Sequence, residues 1–268
     1  MTPAEHSTQL LEAYDQAQRI ALPTAGDAGF DLARGYEVAA AIRTLRSARG
    51  ERQVGYKIGF TNRTIWPRYG VFGPIWGPVW NTTTTLLDTA QAEVSLKGLV
   101  QPRLEPEIAF GFAKPPRAGM SEAELAGCID WVAHSFEIVH THFDDWRFQA
   151  ADTVADFALH GKLLVGPRIA LSCFATLGAD LAGLNVQLHR DGQRVDEGHG
   201  TNVLDGPLSA LRIWVDAMLS QAHGWGIEAG HIVTTGTITD AAPLLPGQRW
   251  TTQLSDPRLP GLTLTTRH

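Results

Sequence analysis

Only two cysteines occur in 268 residues, and no apolar run approaches the roughly 20 residues that a membrane span needs. Cys128 and Cys173 both sit in apolar contexts, and nothing in their spacing supports a disulfide framework. A reducing compartment, the cytoplasm, is therefore expected. The opening MTPAEHSTQLLEAYDQ lacks the basic-then-apolar order of a signal peptide. Lys/Arg clusters are missing too, and with a net charge of −6 the chain has no nucleic-acid footprint. What is present is a hydrophobic content of 44% against 19% charged residues, enough for a substantial core and too apolar for disorder.

Helical signals come first. Thr2-Pro3-Ala4-Glu5 is a capping box opening a helix that Pro23 is expected to stop, and a second helix is predicted from about Asp31 to Ala48. The Gly-, Trp- and Pro-rich stretch from Gly55 to Trp80 is too irregular for an element assignment. From Thr84 to Phe112 short apolar runs alternate like strands. Ser121-Glu122-Ala123-Glu124 is another capping box, and Asp191-Gly192 sits in a hairpin signal. Asp205-Gly206-Pro207 is expected to cap a helix of about sixteen residues ending near Gly224, and HIVTTGTIT reads as a buried β-branched strand. This is not the βαβα alternation of a doubly wound fold. The expectation is an α+β chain: a helical part over residues 1–55 packed on a β-rich catalytic body over 56–268.

Three carboxylates carry the chemistry. Side chains two apart on a strand point the same way, so Glu105 and Glu107 in RLEPEIAF share one face. Leu104, Ile108, Phe110 and Phe112 line the other. Paired like charges on a half-buried strand need compensation, and a divalent cation is the hard-acid solution. Glu137, alone in an apolar run, is the third candidate ligand. The alternative is a solvated strand face with Glu137 paired to an arginine. Lys57, flanked by Tyr56 and Ile58, either reaches an anion or snorkels. Gly236-Thr237 could set a backbone N–H and a hydroxyl against a ligand carboxylate, or form a β-bulge. His134, His140, His142 and His160 lie near Glu137, but strand parity turns His140 and His142 away from it. Trp66, Phe72, Trp76 and Trp80 form either an aromatic pocket or an aromatic core.

The segments VGYKIGFTN, RLEPEIAFGF, FEIVHTHFDDWRFQAADTVADFALHGKLLVG and GHIVTTGTIT, in this order and spacing, resemble the 2-keto-4-pentenoate hydratase and 4-oxalocrotonate decarboxylase group of the fumarylacetoacetate hydrolase superfamily. The resemblance covers about Gly35 to Leu254. It implies a mixed, strongly twisted β-roll with a helical N-terminal part, a homo-oligomer that can associate with a pathway enzyme, and Mg2+ or Mn2+ held by Glu105, Glu107 and Glu137. It implies a small 2-hydroxydienoate or 2-oxo-enoate substrate, chelated through its C1 carboxylate and C2 oxygen, with Lys57 and Thr237 at that carboxylate. The chain departs from the group's pattern at Asn81-Thr82-Thr83, where relatives carry an Asp, and at His142 and His160, where they carry Arg and Ser. Water addition is the leading expectation, with His142 or His160 handling protons at the substrate end. Decarboxylation of a vinylogous 2-oxo acid, which needs no water-activating base, is the alternative. A non-catalytic partner subunit is a further one, against which the three clustered carboxylates speak.

Overall fold

The computed structural model describes residues 1–221 and 224–268. Thr2 forms its capping box with Glu5, and the helix Pro3–Gln16 ends at a left-handed Ala17 rather than running on to Pro23. Pro23 instead opens a single turn, Pro23–Gly26. Asp31 accepts the Arg34 N–H at the head of the helix Leu32–Ala48. Leu10, Leu11, Val38 and Ile42 from these helices pack on Phe143, Ala151 and Phe157, fixing the N-terminal part to the body.

The region from Gly55 to Trp80, unassigned from sequence, holds two antiparallel strands, Gln53–Gly59 and Ile75–Trp80. Gly and Pro concealed their alternation. Pro78 is tolerated because Ile75–Trp80 lies at a sheet edge, where one ladder donor is dispensable. The main sheet then runs through Ile232–Thr234, Arg103–Phe112, Ile129–Val139, His160–Val165 and Thr84–Leu86, with two short strands attached. A second, five-stranded sheet contains the hairpin of Asn185–Arg190 with Gln193–His199, whose turn residues Asp191 and Gly192 both have positive φ (51° and 83°), as a type I′ turn requires.

Two expected elements come out shorter. Of HIVTTGTIT only Ile232–Thr234 pairs as a strand. The helix after Gly206 is Pro207–Leu219, 13 residues; the expected end near Gly224 crosses residues 222 and 223, outside those described. Among the described residues no helix is long and apolar enough to cross a membrane, and Cys128 and Cys173 are both free.

Strand parity decides what each face of the two central strands buries. Leu104, Phe136 and Ile138 pack on Leu188, Trp250 and Leu264 of the second sheet. Ile108, Phe110 and Phe112 pack with Leu211, Trp214 and Met218 of the helix Pro207–Leu219. The opposite face, bearing the three glutamates, is left for a cleft. Trp76 and Trp80 belong to the core, whereas Phe72 is 88% exposed.

Candidate active site

The antiparallel register brings the carboxylates together. Arg103–Phe112 pairs with Ile129–Val139 so that Glu105 stands directly opposite Glu137, and Glu107 opposite Ser135. Directly opposed side chains project from one face, so all three glutamates converge. Their oxygens lie within 4.8 Å of one another, the one such metal-competent group among the described residues. Lys57, on a strand separated from Arg103–Phe112 by Ile232–Thr234, reaches in with Nζ 2.9 Å from Glu137 Oε2. It is buried, so its ammonium is paired rather than snorkelling.

Three carboxylates around one ammonium leave negative charge uncompensated, and the ionisation of each group reflects this. Burial pushes Glu105 up to about 7, and the charge on Glu137 adds to the rise. Burial, then Glu137 and Glu105, hold Glu107 well above the usual carboxylate range. Burial opposes ionisation of Glu137 too, but Lys57 and His160 outweigh it and keep that carboxyl low. Burial alone would depress Lys57; the three carboxylates reverse this and raise it. Glu107 accepts the Gly236 N–H at Oε2 (3.0 Å), while its buried Oε1 has no partner. An orphaned carboxylate oxygen, excess negative charge and an all-oxygen donor set fit a hard divalent cation such as Mg2+, Mn2+ or Ca2+.

The histidines are placed otherwise than expected. His160 does not line the cleft. Its Nδ1 lies 2.8 Å from Glu137 Oε1 and its Nε2 2.8 Å from Thr83 Oγ1, so the ring supports Glu137 from behind. An ionised Glu137 fixes the tautomer with the proton on Nδ1. His142 lies further back, under Tyr14 and Phe157, with Nδ1 and its backbone N–H both on Asp156. The chain leaves the strand after Val139, and this turns His142 inward, away from the substrate end. Asp156 in turn accepts the Leu159 N–H through its carbonyl, anchoring three successive left-handed residues, Phe157, Ala158 and Leu159 (φ 56°, 51° and 66°), that return the chain to His160. His140 Nδ1 accepts the Val100 N–H, and His134 bridges the Glu107 carbonyl and Thr252. Asn81 and Thr82 bind Arg52 and Glu51, outside the cleft. The Gly236 N–H expected to meet a ligand holds Glu107 instead, and Thr237, which does line the cleft, donates to the Thr239 carbonyl (2.8 Å).

Above Glu105 and Lys57 the cleft encloses about 190 Å3, room for a small acid and below the roughly 300–1,000 Å3 of drug-sized sites. Its wall is an aromatic ladder that sequence reading missed. Phe60 stacks on Tyr69 (4.8 Å), Tyr69 on Phe148 (5.8 Å), and Trp146 closes on Phe148 (6.0 Å). These residues come from separate loops, and no periodicity marks them. Asp240 also lines the cleft. A larger hollow of about 540 Å3 near Phe174, Leu177 and Leu208 is mostly apolar and lies away from the carboxylates.

Fold and site together define a class: a carboxylate-floored, metal-competent cleft on a fumarylacetoacetate hydrolase fold. A 4-oxalocrotonate decarboxylase from Pseudomonas putida G7, complexed with magnesium and adipate, superposes with a TM-score of 0.89 at 25% identity, covering 98% of this chain and 97% of that one. A fumarylacetoacetate hydrolase family protein from Yersinia pestis CO92 shares the fold, with a TM-score of 0.56 at 16% identity over 79% of this chain and 91% of its own. No protein-family model matches the chain. In sequence it is 31% identical to a 2-hydroxyhexa-2,4-dienoate hydratase from Comamonas testosteroni, over 90% of this chain and 89% of that protein. It is 30% identical to a 4-oxalocrotonate decarboxylase from a Pseudomonas species, over 83% and 82%. The chain belongs to the 2-keto-4-pentenoate hydratase / 4-oxalocrotonate decarboxylase family, whose members named here are lyases.

Proposed function

We propose that this protein is a divalent-metal-dependent lyase of the cytoplasm that adds water to a small 2-hydroxydienoate or its 2-oxo-enoate tautomer in the breakdown of aromatic compounds. The observation that carries the reading is the convergence of Glu105, Glu107 and Glu137 beside a buried, protonated Lys57, with Glu105 and Lys57 lining a small cleft. We assign the three glutamates as ligands for Mg2+ or Mn2+. A bound ion supplies a Lewis acid for the substrate's C1 carboxylate and C2 oxygen. Lys57 pairs with that carboxylate or delivers a proton from Nζ during tautomerisation. Thr237 faces the same end, its hydroxyl oxygen free to accept. The aromatic ladder packs on the conjugated chain of the substrate. His160 acts through Glu137 and touches no substrate.

Decarboxylation is the second reading, favoured by one observation. Thr82 and Thr83 turn to Glu51 and His160, so the segment where relatives carry an Asp supplies no water-activating base to the cleft. Among the described lining residues the carboxylates are Glu105 and Asp240. The test is incubation with Mg2+ and a panel of 2-hydroxydienoates and 2-oxo-enedioates. Loss of the dienol ultraviolet band without CO2 is expected; CO2 release reassigns the reaction to decarboxylation. No change with any member of the panel sinks the lyase reading.

A further inference from the structure

A separate hollow of about 350 Å3 lies behind His160 and shares no lining residue with the cleft. Thr83 lines it, and Thr83 holds the His160 nitrogen remote from Glu137. Arg46, Lys97 and Lys162 bring positive charge to this hollow, against Asp15 and Glu51. Both acids are already engaged. Asp15 pairs with Arg49 at 2.8 Å, and Glu51 pairs with Arg46 at 2.6 Å while accepting the Thr82 hydroxyl. Among the described residues neither Lys97 nor Lys162 has an ion-pair partner, so their charges remain. Buried donors beside the same hollow lack acceptors. The Arg46 guanidinium, 2% exposed, lies against Tyr14 and Trp80, at 5.0 and 4.8 Å from their ring centres. Glu51 takes its Nε and Nη2, whereas Nη1 is buried with no hydrogen-bond partner. Tyr14, which lines the hollow, also meets His140 edge-on at 5.7 Å. His140 accepts the Val100 N–H at Nδ1, which assigns the proton of the neutral ring to Nε2, and this donor too is buried and unpartnered. Gly161 lines the hollow as well, and its bare Cα leaves that ring close: a Cβ there would stand 3.3 Å from His140 Cδ2. An unmet buried donor costs about 1–3 kcal/mol. Two of them beside two unpaired ammoniums call for a negatively charged acceptor.

We propose that this hollow is a second ligand site, for a phosphate-type oxyanion, with Lys97 and Lys162 at its rim and Arg46 at its floor. The cations come from separate segments: the helix Leu32–Ala48, the turn after the strand Gln91–Ser95, and the strand His160–Val165. Donors arriving from different directions match the tetrahedrally spread oxygens of a phosphate. The two coplanar oxygens of a carboxylate suit a guanidinium fork instead, and the fork of Arg46 is already closed by Glu51. At about 350 Å3 the hollow falls within the roughly 300–1,000 Å3 of small-molecule sites, so a phosphate ester fits as well as the free ion. The site uses no residue of the cleft and stands whether or not the lyase reading does.

The test is titration calorimetry of the full chain with inorganic phosphate, glycerol 3-phosphate and acetate at constant ionic strength. Leaving Mg2+ out keeps phosphate from binding through a metal on the glutamates. At least one phosphate probe is expected to bind with a Kd of about 1 mM or tighter, and acetate about tenfold more weakly or worse. Tighter binding of the ester assigns the site to an organic phosphate, and equal binding to the phosphate group alone. Lys97 is exposed and Lys162 half-buried, so Lys97→Gln and Lys162→Gln should fold, and each should weaken phosphate binding by about tenfold. Lys97→Arg keeps the charge and should stay within about threefold of the wild type. Arg103→Gln, in the cleft, should leave the affinity within about twofold. No binding of either phosphate probe, acetate binding as tightly, lysine variants that bind like the wild type, or a loss confined to Arg103→Gln would each overturn the proposal.

Discussion

His160 and His142 each pair with a different buried carboxylate, Glu137 and Asp156, and their roles differ because of what each touches. His160 donates directly to Glu137, so removing it frees that carboxylate to rotate. Partners of this kind typically cost about 10–100-fold in metal affinity when lost. His160→Ala should therefore weaken Mg2+ binding by at least about tenfold, measured by titration calorimetry, with a modest fall in melting temperature. His142 instead compensates a buried Asp156 whose carboxyl it keeps low against the opposite pull of burial. His142→Ala removes the ring donor and leaves Asp156 only the Thr141 hydroxyl and the residue-142 N–H, a loss of about 1.5–3 kcal/mol of stability, while Mg2+ affinity of the folded fraction stays near wild type. Equal losses of affinity in both variants would refute this division. Lys57 competes with a cation for Glu137, so Lys57→Met should bind Mg2+ more tightly than wild type. It should still turn over about a hundredfold more slowly or worse if Nζ moves a proton. Unchanged kinetics would confine Lys57 to charge compensation.

The short strand Ile232–Thr234 ends in a backbone turn that only glycine can make. Gly236 has φ +94°, and a Cβ there would lie 2.0 Å from Thr61 Oγ1. Its N–H holds Glu107. Gly236→Ala should cost about 1–2 kcal/mol from the left-handed backbone alone, more from the clash, and should weaken Mg2+ binding as the clash with Thr61 displaces the residue-236 N–H from Glu107. Gly230→Ala is the control: φ is +87° but nothing lies within 4 Å of the added carbon, so it carries the backbone cost without touching the site. If the two variants match in melting temperature and in Mg2+ affinity, Gly236 has no special part. These elements also show how far a sequence can be read. Capping boxes at Thr2 and Ser121 and the Asp191-Gly192 turn are local, and each appeared where expected. The shared face of Glu105 and Glu107 follows from a two-residue period. That Glu137 stands opposite Glu105 is a matter of strand register, which no local pattern encodes; its isolation in an apolar run and the family resemblance pointed to it instead. The aromatic ladder and the inward turn of His142 depend on loop paths assembled from distant segments. For that reason His142 and His160, expected at the substrate end by comparison with relatives, stand elsewhere, His142 on Asp156 and His160 behind Glu137, whereas strand parity had already turned His142 away from Glu137.

Across the whole molecule, buried acids and buried histidines set opposing pH dependences, and a metal ion removes one of them. Glu105, at about 7, keeps a proton that the unfolded chain releases near 4.5, and Glu107 behaves alike. The folded state then binds more protons, so this contribution to stability is full below about pH 4.5 and is lost as pH rises through 7. His134, lowered to about 4, and His140, lowered to about 3, run the other way, in both cases because burial disfavours the imidazolium. The unfolded state binds more protons there, so stability is lost as pH falls below about 6.5. A change from 4.5 to about 7, or from 6.5 to about 4, corresponds to about 3 kcal/mol at full extent. The two effects offset one another between about pH 4.5 and 6.5, and above that range the acids alone destabilise the metal-free protein. A divalent ion on the glutamates replaces those protons, leaving only the histidine limb. The rise in melting temperature produced by Mg2+ should therefore be clearly larger at pH 7.5 than at pH 5.5. Mg2+ binding at pH 7 should also release protons, visible as a calorimetric enthalpy that changes with the ionisation enthalpy of the buffer. A Mg2+-induced stabilisation independent of pH, with no proton release, would mean that Glu105 and Glu107 are not where the ion binds.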